Sequence, residues 1–542
     1  MNCIKRRRFY KKENGYCLNN HKKIIIMTRR SNMKNVILLA MSTLKVNRCK
    51  ELCQNSYNCK IGEINDEFTG YSQLEPVTKF FVRTIYEDER QYPDKIVVLC
   101  TPETMNEEHK QSFFIQDSMG RNEKEQTAYE FFRDQIQWYV KGRYGYDLPD
   151  NIFIPVPIDP DHMKDGICKA AIEIRKVQQQ NTEEVQLWLN TQGSFREITF
   201  VMIAISTLLE NQYIKVKNIV SVQYQDKQNS ELREQLDTYK ILSFVSGMNA
   251  FIRYGRVDQL KEYYEWKKSY IDKEPDEMPI IDQMEQFAEA LQFCNPQGLE
   301  KTLENLRNEI SKYEEQVEEK DDFFVIFIDE VKKQYGNVLA KNKFRSIDLV
   351  KWLYDNKFYQ QALTYIEAEI PKKIIGAEGE GKLLTYIYNI GEGMEKTKFE
   401  KEIEKIAKKK GKKKENIFLE KFTNGDFETL SNLKKGVENI EKFRDGKIEG
   451  FKEHEGYWEP GQEKEIILKK KSKGMERTFT VTVRSNCENS IDLQHLLYLY
   501  RLLKSARNRI NHFDGDRKED DSETVKHAIE LFIEIGGKLI KE

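Results

Sequence analysis

No stretch of this chain approaches the roughly 18 consecutive apolar residues needed to cross a bilayer, so no spanning helix is expected. The G-x-G-x-x-G dinucleotide fingerprint is missing, and with it any reason to infer NAD. The nine cysteines are scattered, and their one cluster, Cys49, Cys53 and Cys59, lacks the C-x(2)-C pairs and histidine partners of a zinc site. No metal or cofactor is expected, and reduced thiols in a cytoplasmic protein are the default. Charge of one sign is also lacking overall: the net charge is −1. It is unevenly spread, because the first 33 residues carry ten Lys/Arg against one acidic residue, leaving about −10 for the remainder. That basic lead, with Lys5-Arg-Arg-Arg8 and only Ile24-Ile-Ile-Met27 as an apolar core, is too short and badly flanked for a secretory signal. Residues 1–32 read as a disordered extension able to touch nucleic acid, with Met27 and Met33 as candidate starts.

A chain of 542 residues with 39% apolar content should fold as two or three units with full cores. Its N-terminal half has the grammar of an α/β protein. Asn35-Val-Ile-Leu-Leu-Ala40 is a short apolar strand running into Met41-Ser-Thr-Leu-Lys45. The pattern returns at Lys95 to Cys100 followed by Thr101-Pro-Glu-Thr104, and at Glu184 to Asn190 followed by Thr191-Gln-Gly-Ser-Phe-Arg196. Continuous apolar strands separated by helical stretches (Ala128 to Lys141, Cys168 to Gln179) predict a parallel sheet covered on both faces. Ligands on such sheets bind beyond the carboxyl ends of the strands, where all three polar loops fall. The last loop opens the apolar helix Ile198 to Leu209; Gly193 permits close backbone approach, and free amides at a helix start attract phosphate. Taken alone, the same loop is also what a plain βα turn with a helix cap looks like.

From Ile241 to Gly255 the pattern becomes helical and stays so. Gly376-Ala-Glu-Gly-Glu-Gly-Lys382 fits G-x(4)-G-K, but it follows a helix, has Leu383 where a Mg²⁺-binding hydroxyl belongs, and carries two carboxylates; it reads as a mobile loop. Lys396 to Asn416 is expected to be one charged helix ending in Lys408-Lys-Lys-Gly-Lys-Lys-Lys414, a solvated face or else a tract that attracts RNA backbone. Glu465 to Leu468 and Arg477 to Val483 flank Lys471-Ser-Lys-Gly474 and predict a β-hairpin inserted into the helical body.

Near the C-terminus, Leu493, Tyr500 and Arg507 recur every seven residues, with Leu496, Leu503 and Ile510 on a second row. This is a helix with one buried stripe, and Arg507 stands where an apolar side chain belongs. A guanidinium there needs acceptors: an ion pair to one of the many acidic residues, or a phosphate, with Asn508 and His512 close in sequence. Five residues of regular helix turn roughly 500°, so Arg507 and His512 diverge by about 140° unless the helix ends between them or two copies face each other.

Arg507-Asn508-x-x-x-His512 resembles the Arg-polar-x(3)-His signature of HEPN ribonuclease domains, in which two subunits pair their signature helices into one composite active site. The loops at Ser42-Thr43 and Thr191 to Arg196 resemble the ligand loops of CARF domains, Rossmann-like CRISPR-associated sensors of cyclic oligoadenylate. Ile241 to Gly255, ending at a Tyr-Gly pair, and Lys343 to Pro371 resemble helical blocks of the CARF–HEPN branch. The resemblance implies a CARF domain over 33–235, a helical linker and first part of the helical body over 236–375, and a HEPN domain with a charged insertion and hairpin over 376–542. It implies a homodimer of type III CRISPR antiviral defence that cleaves single-stranded RNA when cyclic oligoadenylate binds, tetra-adenylate ahead of hexa-adenylate. Ser42, Thr43, Thr191, Gln192, Gly193, Ser194, Phe195 and Arg196 would hold the ligand, with Thr101 and Thr104 as further contributors. Gln192 departs from the aspartate or asparagine frequent beside the Gly, leaving the ligand contacts open. In catalysis Arg507 would stabilise charge, His512 would move a proton or orient the 2′-hydroxyl, and Asn508 would hold one of these groups or the substrate. The expected cleavage is metal-independent and leaves a 2′,3′-cyclic phosphate; slow degradation of the activator is a further activity of some relatives. Two other classes stay open: a nucleotide-sensing dimer that cuts nothing, and a toxin-like nuclease that needs no ligand.

Overall fold

The structure is a computed structural model describing residues 33–117, 120–159, 161–178, 184–193, 197–210, 212, 214–224, 230–271, 273–316, 323–340, 344–391, 394–423, 433–444, 460–472, 475–511 and 522–540. The chain divides into two compact units at Leu242/Ser243. The expected N-terminal extension, Ser194 to Arg196 and His512 lie outside the described residues. Among the described residues no helix is long and apolar enough to cross a membrane.

The first unit is α/β. Its strands are β1 (Lys34–Ala40), β2 (Asn55–Ile61), β3 (Ile64–Gly70), β4 (Lys95–Cys100), β5 (Gln111–Asp117), β6 (Gly120–Gln126), β7 (Phe153–Pro157), β8 (Val185–Asn190), β9 (Ile214–Tyr224) and β10 (Ser230–Glu234). Eight of them form one sheet in the order β3-β2-β10-β9-β8-β1-β4-β7, while β5 and β6 pair as a separate hairpin. β9, β8, β1, β4 and β7 run parallel. In β1 every residue from Val36 to Ala40 is buried. The alternation of the strand explains why: Ile37 and Leu39 share a core with Val77, Phe81 and Phe131 of helices Leu74–Glu89 and Ala128–Tyr144. Val36 and Leu38 point to the opposite face, against which helices Met163–Arg175 and Ile198–Glu210 pack. Helix Ala128–Tyr144 begins at a capping box in which the Glu130 amide donates to Thr127 Oγ1 (3.1 Å) and the Thr127 amide to Glu130 (2.9 Å). The helix expected over 168–179 is Met163–Arg175, starting five residues earlier.

Helix Leu236–Tyr254 carries the chain into the second unit, which is predominantly helical. Its core is one continuous cluster from Phe244 to Ile540, including Phe251, Tyr335, Trp352, Tyr365, Leu496 and Phe532. The expected hairpin is present as β13 (Glu463–Ser472) and β14 (Met475–Ser485), paired antiparallel; β11 (Ile375–Ala377) and β12 (Leu384–Asn389) extend it to a four-stranded sheet. The Gly376 to Lys382 stretch is therefore a strand and tight turn, with the Glu380 carboxylate lying against Gly376. The single charged helix expected over 396–416 is two helices, Lys396–Lys409 and Lys414–Phe422. The break is a Schellman closure: Gly411 adopts φ +63°, its amide donates to Lys408 O (3.0 Å), and the Lys412 amide donates to Ala407 O (3.0 Å). The lysine run thus turns a corner.

Candidate functional site

Helix Ser490–Asn511 is the spine of the second unit. Leu493, Leu496, Tyr500 and Leu503 are buried, packed against helices Ser522–Leu539, Tyr359–Ala368 and Leu433–Arg444. Arg507 continues that stripe where the core runs out, and its guanidinium is 28% exposed. Nη1 lies 3.0 Å from Glu367 Oε2, an ion-pair distance. Neither that oxygen nor the buried Arg507 Nε has an aligned hydrogen bond, so the contact is Coulombic and leaves donor capacity unspent. Arg507 also acts on Cys294: burial pushes that thiol up, and the nearby guanidinium pulls it partly back. The Asn508 side chain is half-buried and makes no hydrogen bond among the described residues. Helix geometry persists through Asn511, so no helix end intervenes between Arg507 and that residue.

Arg507 lines a cleft of about 680 Å³ with Lys408, Lys410, Lys412, Lys413 and Lys504. Lysine 504 lies one turn before Arg507; burial holds its ammonium below the ordinary lysine range, against the opposing pull of Glu420 at 3.2 Å. Glu420 also accepts from Lys412 at 2.7 Å, and these two lysines outweigh burial to hold its carboxyl below the usual range. Lys413 is bound by Glu369 at 2.8 and 3.0 Å, and the Asn416 amide donates to Glu367 O at 2.6 Å. These bonds fix the lysine corner to helix Tyr359–Ala368, which also carries the Arg507 partner. Lys408 and Lys410 are exposed and form no ion pair among the described residues. Among the described residues six cations thus face the three carboxylates Glu367, Glu369 and Glu420, an excess of three positive charges.

In the first unit the chain passes from β1 to β2 and β3 at the far edge of the sheet; the parallel strands that follow, β4 and β7, then lie on one side of β1, and β8 and β9 on the other. The order of the parallel strands therefore switches sides between β1 and β8, the kind of place where open α/β sheets form a ligand crevice. The Ser42-Thr43 and Thr191–Gly193 loops meet at that switch. Gly193 has φ +94°, and a Cβ there would stand 2.5 Å from Ser42 Oγ and 2.8 Å from Ala40 O. Buried Asn190 donates to Leu74 O (3.0 Å) and Thr78 Oγ1 (3.2 Å) and accepts from the Gln192 amide (3.2 Å). Gln192 Nε2 is engaged by Val222 O at 3.2 Å. Thr43 is exposed and Ser42 half-buried. Thr104 is buried, its hydroxyl given to Thr101 O at 2.9 Å, and Thr101 hydrogen-bonds Glu103.

A smaller cavity of about 330 Å³, not foreseen from sequence, lies beyond β4 and β7 and is lined by Cys100, Asn106, Asp159, His162 and Lys169 among others. Its His162 is raised by Asp159, whose Oδ2 is 2.8 Å from Nδ1. Glu367, Glu420 and Lys504 were likewise not singled out. Lys504 alone left a readable signal, three residues before Arg507 and so on the same helix face. Compared with family models and with curated proteins, the chain matches none.

Proposed function

We propose that the protein is a dimeric endoribonuclease switched on by cyclic oligoadenylate, with a CARF-type sensor unit and a HEPN-type nuclease unit, acting in the cytoplasm in type III CRISPR antiviral defence. The observation that carries the reading is Arg507, a guanidinium with an unspent donor at the end of a buried stripe, on a cleft that it shares with five lysines. Positive charge in excess of its carboxylate partners favours an anion, and phosphate matches the fork geometry of arginine.

RNA brings its own nucleophile. The ribose 2′-oxygen attacks the adjacent phosphorus, the bond to the 5′-oxygen breaks, and a 2′,3′-cyclic phosphate and a 5′-hydroxyl result. Arg507 stabilises the charge on the crowded phosphorane, a contact whose removal costs on the order of 3 kcal/mol. His512 transfers the proton, and Asn508, whose side chain makes no hydrogen bond among the described residues, orients the arginine or the substrate. Because the helix is continuous through Asn511, one chain turns Arg507 and its successors apart; two helices facing each other bring the groups together. In the sensor unit the crevice between β1 and β8, floored by Gly193 and edged by Ser42 and Thr43, is the ligand cradle. The helix that follows it exposes Phe200, Ala204 and Leu208 on one face, the apolar stripe of a two-fold pairing. Ligand binding activates only by favouring the competent arrangement over the resting one.

The Arg507–Glu367 contact supports a second reading, a nucleotide-sensing dimer whose helical unit cuts nothing. Cleavage of a fluorogenic single-stranded RNA by the full-length protein separates the two, with and without cyclic tetra- or hexa-adenylate. Arg507→Ala and His512→Ala are each expected to abolish cleavage and to leave ligand binding intact. Retained cleavage in both variants rejects the active-site assignment. Ligand binding by a parent protein that never cuts establishes the sensor reading, and full cutting without either ring establishes a ligand-independent nuclease.

A further inference from the structure

The corner Lys408 to Lys413 joins the C-terminal end of helix Lys396–Lys409 to the first turn of helix Lys414–Phe422, and four of its lysines line the same cleft as Arg507. Lys412 and Lys413 are held in place by Glu420 and Glu369, whereas Lys408 and Lys410 have no charge partner among the described residues. Among the described residues no aromatic side chain lines the cleft, so it offers no aromatic platform for a base. A cleft with spread cations, an excess of positive charge and no aromatic platform among the described residues suits a chain of phosphodiesters better than a single nucleotide. We propose that the corner, with Lys504, is a backbone-binding wall that holds single-stranded RNA across the cleft irrespective of base sequence and presents one phosphate to Arg507. The inference rests on the reading of Arg507 as a nuclease residue, and it gives the lysine run the role of a substrate track fixed to the helix that holds Glu367.

The test uses full-length protein and oligo(U) and oligo(A) RNA of equal length, with binding measured by anisotropy across a salt series. The double variant Lys408→Ala/Lys410→Ala removes two charges without orphaning any carboxylate, and its melting curve should match the parent. Each lost phosphate contact lowers the slope of log affinity against log salt by about 0.7, so the slope should fall by about 1.4 and affinity roughly tenfold for both RNAs. Arg507→Ala, which blocks cleavage under the nuclease reading, should keep most of the binding and show the same loss when combined with the lysine pair. Unchanged affinity and slope in the double variant overturn the wall, whatever Arg507→Ala does to cleavage. Active cleavage by Arg507→Ala sinks the nuclease reading while leaving the lysine result to be read from binding alone. Loss of poly-glutamate binding with RNA binding unchanged would make the corner a docking site for an acidic polypeptide and overturn the proposal.

Discussion

Gly193→Ala tests the crevice most sharply, because its cost can be divided into two parts. The first is the backbone: at φ +94° an L-residue is disfavoured by about 1–2 kcal/mol. The second is contact. The new methyl would stand 2.5 Å from Ser42 Oγ, 2.8 Å from Ala40 O and 3.1 Å from Leu74 Cδ2. The hydroxyl can rotate away; the carbonyl, at the end of a buried central strand, cannot. Overpacking of this kind costs about 1–3 kcal/mol, and the lower entropy of the unfolded alanine chain returns about 0.4–1 kcal/mol. The net loss is about 2–4 kcal/mol. For a unit of this size that lowers the melting midpoint by roughly 4–16 °C. Gly145 supplies the control, since it has φ +80° in the same unit with nothing within 4 Å of its added Cβ. Gly145→Ala carries the backbone cost alone, so calorimetry should show Gly193→Ala as the more destabilised of the two. Ser42→Ala in the Gly193→Ala background should recover only part of the loss. Equal midpoints for the Gly193 and Gly145 variants would refute the close approach of the two loops.

Replacing Phe200 and Leu208, 76% and 51% exposed on helix Ile198–Glu210, with Asp should convert a dimer into a monomer by light scattering and abolish ligand-stimulated cleavage; an unchanged dimer ends that pairing. Glu402, held down to about 2 by Lys470 first and Lys405 second, ties helix Lys396–Lys409 to β13. Its folded value lies below the unfolded one, so its contribution is present above pH 4.5 and disappears as pH falls through about 2. Glu402→Gln should therefore cost about 0.5–1 kcal/mol in urea unfolding at pH 7 and nothing near pH 2; a pH-independent cost contradicts the pairing.

How much of this was readable in advance follows from burial. β1, β4 and β8 announced themselves because both faces of the sheet are covered, which leaves no polar position in their middles. β2 and β3 did not: Tyr57 and Cys59 are the only buried residues of β2, and the sequence Asn55-Ser-Tyr-Asn-Cys-Lys-Ile61 reads as loop. Arg507 was visible because it interrupts a seven-residue stripe. Its partner Glu367 was not, since nothing in a sequence marks which of many carboxylates a fold will bring across. The lysine run was visible as charge, but Gly411 within it carried a message that the charge obscured: a glycine between two runs of helix formers is a stop. Treating 396–416 as one helix hid the corner and, with it, the shared cleft.

The crevice between β1 and β8 is built from segments roughly 150 residues apart, and its floor exists only when the last parallel strands have joined the first. Pairings of such long reach form late. Nascent or truncated chains that stop before β8 present Ser42 and Thr43 on an open edge with no opposing wall. The crevice is therefore a property of the completed sheet alone, and a half-made protein lacks it.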